Sequence, residues 1–236
     1  MDYNTKQIDK DLALLFKSKE GDELKKTLID KIAEQERMLD AFKTSIMHCE
    51  SQIQLCNASD PIKNKKNEAN KVIFEDNKRI WNISGFINLI SMDIKTIQYG
   101  MYFAETEWHK RFYARHACTI MYESAKDIFE LLGKEFKNLI SNRINIEDFE
   151  HELKDIRLRL NQFQEKNSVY LSLVRNYTSA HKEKDVLKQL EIITDINWSD
   201  TINTTMEFEK IINDLGVFLQ KLIPKGLESL KEGFSD

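Results

Sequence analysis

Residues 22–56 read DELKKTLIDKIAEQERMLDAFKTSIMHCESQIQLC. Leu24, Leu28, Ile32, Leu39, Phe42, Ile46, Cys49, Ile53 and Cys56 recur in steps of three and four, with Gln35 as the one polar interruption. An α-helix turns once in 3.6 residues, so this spacing lines one face of a helix with apolar side chains. Sustained over so many turns, it is the pattern by which two long helices pack along a shared seam.

The partner comes directly after it. Residues 57–67 are polar and contain Pro61, which predicts a chain reversal. A second seam then runs through Ala69, Val72, Asp76, Ile80, Ile83, Ile87, Ile90, Ile94, Ile97 and Met101. Two such seams about a proline-containing loop predict an antiparallel helical hairpin. The crowding of apolar residues from Phe86 to Ile90 exceeds one seam, which favours a second helix that also belongs to a larger bundle. Asp93 and Lys95 inside it exclude a membrane span.

Outward from the hairpin, residues 7–17 carry Ile8, Leu12, Leu15 and Phe16 at helical spacing, and Gly21 reads as the stop of this short docking helix. After Gly100, a helix over residues 104–132 is expected to face the core with Trp108, Phe112, Met121, Ala125, Ile128 and Leu132. Gly133 and residues 141–145 punctuate the chain. The next helix runs from about Ile146 to Phe163, with Asn145 as its N-cap and Glu147 and Asp148 in its first turn, where the helix dipole favours anions. Residues 191–199 read as a loop or short extended piece, and a last helix uses Ile202, Met206, Ile212, Leu215, Leu219 and Leu222 and ends before Pro224. The class is all-α: a helical bundle with a long antiparallel helical hairpin. The expected organisation is one domain over 1–236, with 22–100 as the hairpin elaboration and 101–236 carrying the motif helices.

Composition agrees. Two Pro and seven Gly in 236 residues, with 31% charged and 41% hydrophobic side chains, belong to a protein of long amphipathic helices. A net charge of -4 excludes a chain that coats nucleic acid through a general basic surface, so any RNA contact must be local. The three Cys, at 49, 56 and 118, include no Cys-x-x-Cys pair, which argues against a zinc site or a disulfide framework. The first residues lack the basic and apolar regions of a signal peptide, and no long uncharged apolar run exists, so the expectation is a cytoplasmic protein without a membrane partner.

The chemistry-bearing stretch is SVYLSLVRNYTSAHKEKD, residues 168–185. Arg175 and Asn176 followed by His181 put a permanent cation, an amide and an imidazole within about two helical turns. Arginine forks two hydrogen bonds onto a phosphate, and histidine exchanges a proton near pH 7, a combination suited to phosphodiester chemistry. A second Arg-x(4-6)-His match occupies Arg111 to His116, where Arg111 and Arg115 share a helix face with Thr119 and Tyr122. The plain structural reading of those two arginines is ion pairing with Glu107 and Glu123. Lys182 and Lys184 are candidate phosphate contacts, although Glu183 and Asp185 offset them, and Tyr177 is a supporting candidate.

Arg175, the polar Asn176 after it and His181 resemble the Arg-x(4-6)-His motif of the HEPN superfamily (higher eukaryotes and prokaryotes nucleotide-binding). Val174 supplies the apolar residue that usually precedes the Arg, and the aromatic and paired basic residues ahead of Tyr122-Glu123 look like the first long helix of the abortive-infection branch. The resemblance implies a metal-independent endoribonuclease of phage defence or a toxin-antitoxin system. It implies no cofactor, an RNA substrate, an antitoxin protein as a partner, and a homodimer in which the motifs of two chains form one cleft. Arg175, Asn176 and His181 would be catalytic, with Arg111, Arg115, His116, Glu123, Tyr177, Lys182 and Lys184 binding RNA or supporting them. One departure is Ala180, where a second His often stands. It leaves open a non-catalytic helical interaction or regulatory protein that binds a protein partner or nucleotide.

On an ideal helix, residues six apart differ by about 120° and lie about 9 Å apart along the axis. Arg175 and His181 therefore meet only if the helix yields over residues 177–180 or if two chains pair.

Overall fold

The second seam becomes the central helix of the protein. In a computed structural model that describes residues 3–58, 64–143, 147–180 and 184–234, eight α-helices follow one another without a strand among the described residues. They are α1 (Tyr3–Leu15), α2 (Lys19–Ala58), α3 (Asn64–Phe103), α4 (Glu107–Leu131), α5 (Lys134–Arg143), α6 (Glu147–Arg175), α7 (Val186–Asp195) and α8 (Trp198–Phe234), with a π-helical turn at Asn176–Ala180 after α6. The all-α bundle with a long helical hairpin is as the periodicity requires. Pro61 and Asn145 lie outside the described residues.

α2 and α3 run antiparallel along their seams. Gln35 reaches Ser91, the Phe42 ring lies 5.9 Å from that of Trp81, and Glu50 pairs with Lys78 at 2.8 Å. Leu28, Phe42 and Cys49 are buried, while Leu24, Ile32, Leu39 and Ile46 are half-buried, because α2 packs chiefly against α3. α3 instead packs against α2, α4 and α8, and from Ile80 onward its whole seam is buried. Near its start the buried positions are Ile73, Phe74 and Asn77, and Val72 is exposed.

A helix enclosed on three sides also buries its polar residues: Asn88, Ser91, Lys95 and Gln98 are all inside. Lys95 Nζ pairs with Glu209 Oε1 of α8 at 2.8 Å and donates to Ser91 Oγ at 2.7 Å. Gln98 Nε2 donates to Glu209 Oε2 at 2.9 Å, and Gln35 Nε2 donates to Ser91 Oγ at 2.7 Å. The one polar break in the first seam is thus the α2 end of a polar chain that crosses α3 to α8. Burial, with the Glu209 charge second, pushes the Tyr102 hydroxyl well above the usual tyrosine range.

Several sequence expectations are corrected. Gly21 does not stop α1 but lies in the first turn of α2, where a Cβ would meet Phe16 O at 2.5 Å; the tight α1–α2 corner needs its absence. Gly100 is inside α3, and a Cβ there would lie 2.5 Å from the Tyr113 ring of α4. The helix expected to end near Phe163 and the motif helix are one, α6, because nothing in residues 164–175 breaks it. Residues 191–199 are not extended. Asp185 accepts from the backbone N of Leu187 and Lys188 to start α7, and Asn197 Oδ1 accepts from Ser199 N at 3.0 Å to start α8. α8 passes through Pro224 and continues to Phe234, so the helix does not end where the proline predicts.

Lys95 and Glu209 are mostly withdrawn from water, so removing one leaves an uncompensated charge inside. Glu209→Ala is expected to lower unfolding free energy by about 3–5 kcal/mol in denaturant titration, and Lys95→Met with Glu209→Met to recover most of it.

Candidate functional site

α6 packs along α4, so the end of α6 delivers Arg175 to the middle of α4. Val174, just before it, is buried and fixes the rotation of this last turn. The Arg175 guanidinium pairs through Nη2 with Glu123 of α4, donates from Nη1 to Asn176 Oδ1 at 2.9 Å, and stands 5.8 Å from the centroid of the Tyr122 ring. Its Nε is buried without an acceptor among the described residues. With the Glu123 carboxylate 39% exposed, solvent screens the pair, which contributes about 1 kcal/mol or less to stability. Its consequence is positional: the planar guanidinium is held from two sides.

Directly after Arg175 the helix widens. Asn176–Ala180 form a π turn, and Thr178 Oγ1 donates back to Val174 O at 2.7 Å. A π turn carries i→i+5 bonds and changes the azimuth of the residues beyond it. The yielding expected over 177–180 is therefore present as a wider turn. His181 and Lys182 lie outside the described residues. Tyr177 lies under the ammonium of Lys188 of α7, 4.6 Å from its ring centroid. Lys184 is exposed, and the neighbouring Asp185 caps α7.

The second motif lies on the same helix as Glu123, and its plain structural reading is overturned. Glu107 does not serve Arg111. It accepts from Trp198 Nε1 at 3.1 Å and pairs with Lys110 at 3.6 Å, whose buried ammonium sits 3.9 Å from the Trp198 ring centroid. Glu123 serves Arg175. Among the described residues neither Arg111 nor Arg115 has an ion-pair partner, and the Nε of each is buried without an acceptor.

Trp108 and Phe112, expected in the core, are 49% and 43% exposed. The core positions belong to Lys110, Ala114, Ala117 and Cys118, which lead into Met121, Ala125, Ile128 and Leu132 as expected. Both stripes of α4 have helical period, so periodicity could not choose between them, and size favoured the wrong one. Arg115 lies 5.8 Å from the Trp108 ring centroid and 5.6 Å from that of Phe112, and the His116 ring meets the Phe112 ring at 4.5 Å. Desolvation, with the Arg115 charge second, lowers the pKa of His116.

The fold thus joins Arg175 and Asn176 with Glu123, and adds Tyr122, which the sequence placed on this face without a role. It leaves Arg111, Arg115 and His116 about two to three turns away along α4. Cys118 is buried, and burial pushes its thiol up to about 12, so no thiolate is offered near neutral pH. Among the described residues no three His, Cys, Asp or Glu side chains gather as a metal site, and no helix is long and apolar enough to cross a membrane. No family model, curated protein or solved structure matches the chain.

The geometry of His116 has a measurable consequence. Its NMR titration midpoint is expected below the ordinary value of 6.5, and Arg115→Ala should move it upward by removing a like charge. An unfolded His116 takes up its proton first as pH falls, so its contribution to stability is present above the ordinary histidine pKa and lost below it.

Proposed function

We propose that the protein is a metal-independent endoribonuclease of the HEPN type, acting in phage defence or as the toxin of a toxin-antitoxin pair in the cytoplasm, with an antitoxin protein as its partner. The observation that carries this reading is the guanidinium of Arg175, held between Glu123 and Asn176 at a π turn that leads to His181. A positioned, permanently charged fork is what a phosphorane-like transition state needs, because it loses little freedom when charge develops on the non-bridging oxygens.

In this reading His181 accepts the proton of a ribose 2'-hydroxyl as O2' bonds to phosphorus, the P–O5' bond breaks, and the leaving 5'-oxygen takes a proton from solvent water. Asn176 keeps the guanidinium oriented through its Oδ1, and Lys182 and Lys184 hold flanking phosphates. A homodimer supplies the second half of the cleft. Its support is an apolar patch within two turns before Arg175, where Val169 is 80% and Leu173 44% exposed on one face of α6. Leu187 and Leu190 of α7 are exposed as well.

A non-catalytic interaction protein is the second reading. It is favoured by an apolar groove of about 1260 Å³ between the hairpin and α4–α5, lined by Phe42, Ile46, Leu89, Leu131 and Phe136. Arg175 would then be a structural partner of Glu123.

Cleavage assays separate the two. RNA is expected to be cut in the presence of chelator to 2',3'-cyclic phosphate and 5'-hydroxyl ends, and a 2'-deoxy substitution at the cut position to block the reaction. His181→Ala should lower the rate by about 10²- to 10⁴-fold, and Arg175→Lys by about 10²- to 10³-fold, since a point charge does not reproduce the fork. Val169→Glu with Leu173→Glu should convert a sedimenting dimer to monomer and abolish cutting. Full activity in the first two variants with none in Arg111→Ala or His116→Ala transfers the chemistry to the second motif; indifference to all four leaves the interaction protein.

A further inference from the structure

The solvent face of a helix in a soluble protein ordinarily carries Lys and Glu, paired across a turn. The first half of α4 does not. Trp108, Arg111, Phe112, Arg115 and His116 fall on one side of it, and the two aromatic rings are among the exposed large hydrophobic side chains of the protein. Both residues are about half exposed, and both rings have a cation against them: Arg115 is within 6 Å of each ring centroid, at 5.8 and 5.6 Å. His116 adds a third flat group, edge to face with Phe112 at 4.5 Å.

Charge on this face is uncompensated. Arg111 has Arg115 one turn on, and Arg115 has Thr119; among the described residues neither finds a carboxylate. The acids just ahead of them in sequence are Glu107, which is occupied by Lys110 and Trp198, and the exposed Glu105 before the helix. Among the described residues the Nε groups of Arg111 and Arg115 are buried without acceptors.

The same face leads to Arg175. Residues seven apart on a helix differ by about 20° in azimuth and lie about 10 Å apart along the axis, so Arg115 is followed on its own face by Tyr122 and Glu123, where Arg175 docks.

We propose that Trp108 and Phe112, with Arg111, Arg115 and His116, form a stacking platform for single-stranded RNA, which holds an unpaired base against the rings and its phosphates on the guanidinium groups while the strand runs along α4 toward Arg175. The proposal rests on the ribonuclease reading for its substrate but not for its surface. Rings recognise any exposed base and are shielded from bases stacked inside a duplex, so the platform selects single strands with little sequence preference.

The test uses the full-length chain with two probes, oligouridylate and the uncuttable oligodeoxythymidylate, followed by anisotropy and tryptophan fluorescence, and the corresponding RNA duplex as competitor. Single strands are expected to bind and to quench Trp108 emission. Trp108→Ala and Phe112→Ala should each weaken binding about tenfold or more, and Trp108→Phe much less. Arg111→Ala and Arg115→Ala should each reduce the slope of log affinity against log salt by about 0.7. Because Trp108 and Phe112 are exposed, thermal melts of their variants should match the parent.

Equal affinity in the Trp108→Ala and Phe112→Ala variants overturns the platform, as does a duplex that competes as well as the single strand. A Trp108→Ala variant that alters self-association in sedimentation while the parent binds no strand assigns the face to a protein instead, and overturns it too. Cutting that persists with unchanged KM in Trp108→Ala rejects the platform and leaves the nuclease; strand binding lost only in the platform variants, with no cutting by any form, rejects the nuclease and leaves the platform.

Discussion

The buried ion pair of Lys95 with Glu209 is the constraint around which the bundle closes. α3 is enclosed by α2, α4 and α8, and a lysine in its middle has no route to solvent. Its ammonium must therefore find a carboxylate, and Glu209 of α8 is the one that reaches it. Gln98 and Ser91 take up the remaining valences, and Gln35 ties the outer hairpin helix to the same chain of hydrogen bonds. Such a pair adds little net stability over apolar packing, but it penalises any register that separates the partners. α2, α3 and α8 are locked together by polarity where apolar seams alone would permit sliding.

α4 has a different duty. One stripe, from Ala114 through Cys118 to Leu132, belongs to the core, and the other carries exposed aromatics and arginines. The approach of Tyr113 to the bare backbone of Gly100 sets α4 close against α3. Arg157 of α6 donates to the carbonyl of Leu132, where an ending helix has unsatisfied acceptors. Farther along α6, Arg175 reaches Glu123, so α6 is fastened to α4 at separate points along its length.

The fold was largely legible because it is written in period. The hairpin, the buried run from Ile80 to Met101 and the core of α6 from Leu153 to Phe163 follow from spacing alone. Where reading failed, two patterns of equal period competed, or a local signal was outweighed. Trp108 and Phe112 have the spacing of a core face and the size to fill one, but the rotation of α4 is decided by Lys110 meeting Trp198 and by the small Ala114 and Ala117 beneath α3 and α6. Gly21 and Pro224 read as helix ends; a tight corner requires the first, and α8 continues through the second.

The sequence by itself determined the helical class and the hairpin, and it marked the candidate residues for phosphodiester chemistry, since each depends on side-chain type and local spacing. It did not determine which of them meet. Arg175 and Glu123 are 52 positions apart, and Arg111 had a nearer acid, Glu107, one turn away. The tertiary structure gave Glu107 to Lys110 and Trp198, gave Glu123 to Arg175, and left the two arginines beside exposed rings. Charges choose partners by distance in space after the core has fixed the rotation of each helix, and that rotation is a property of the packed bundle, not of any one segment.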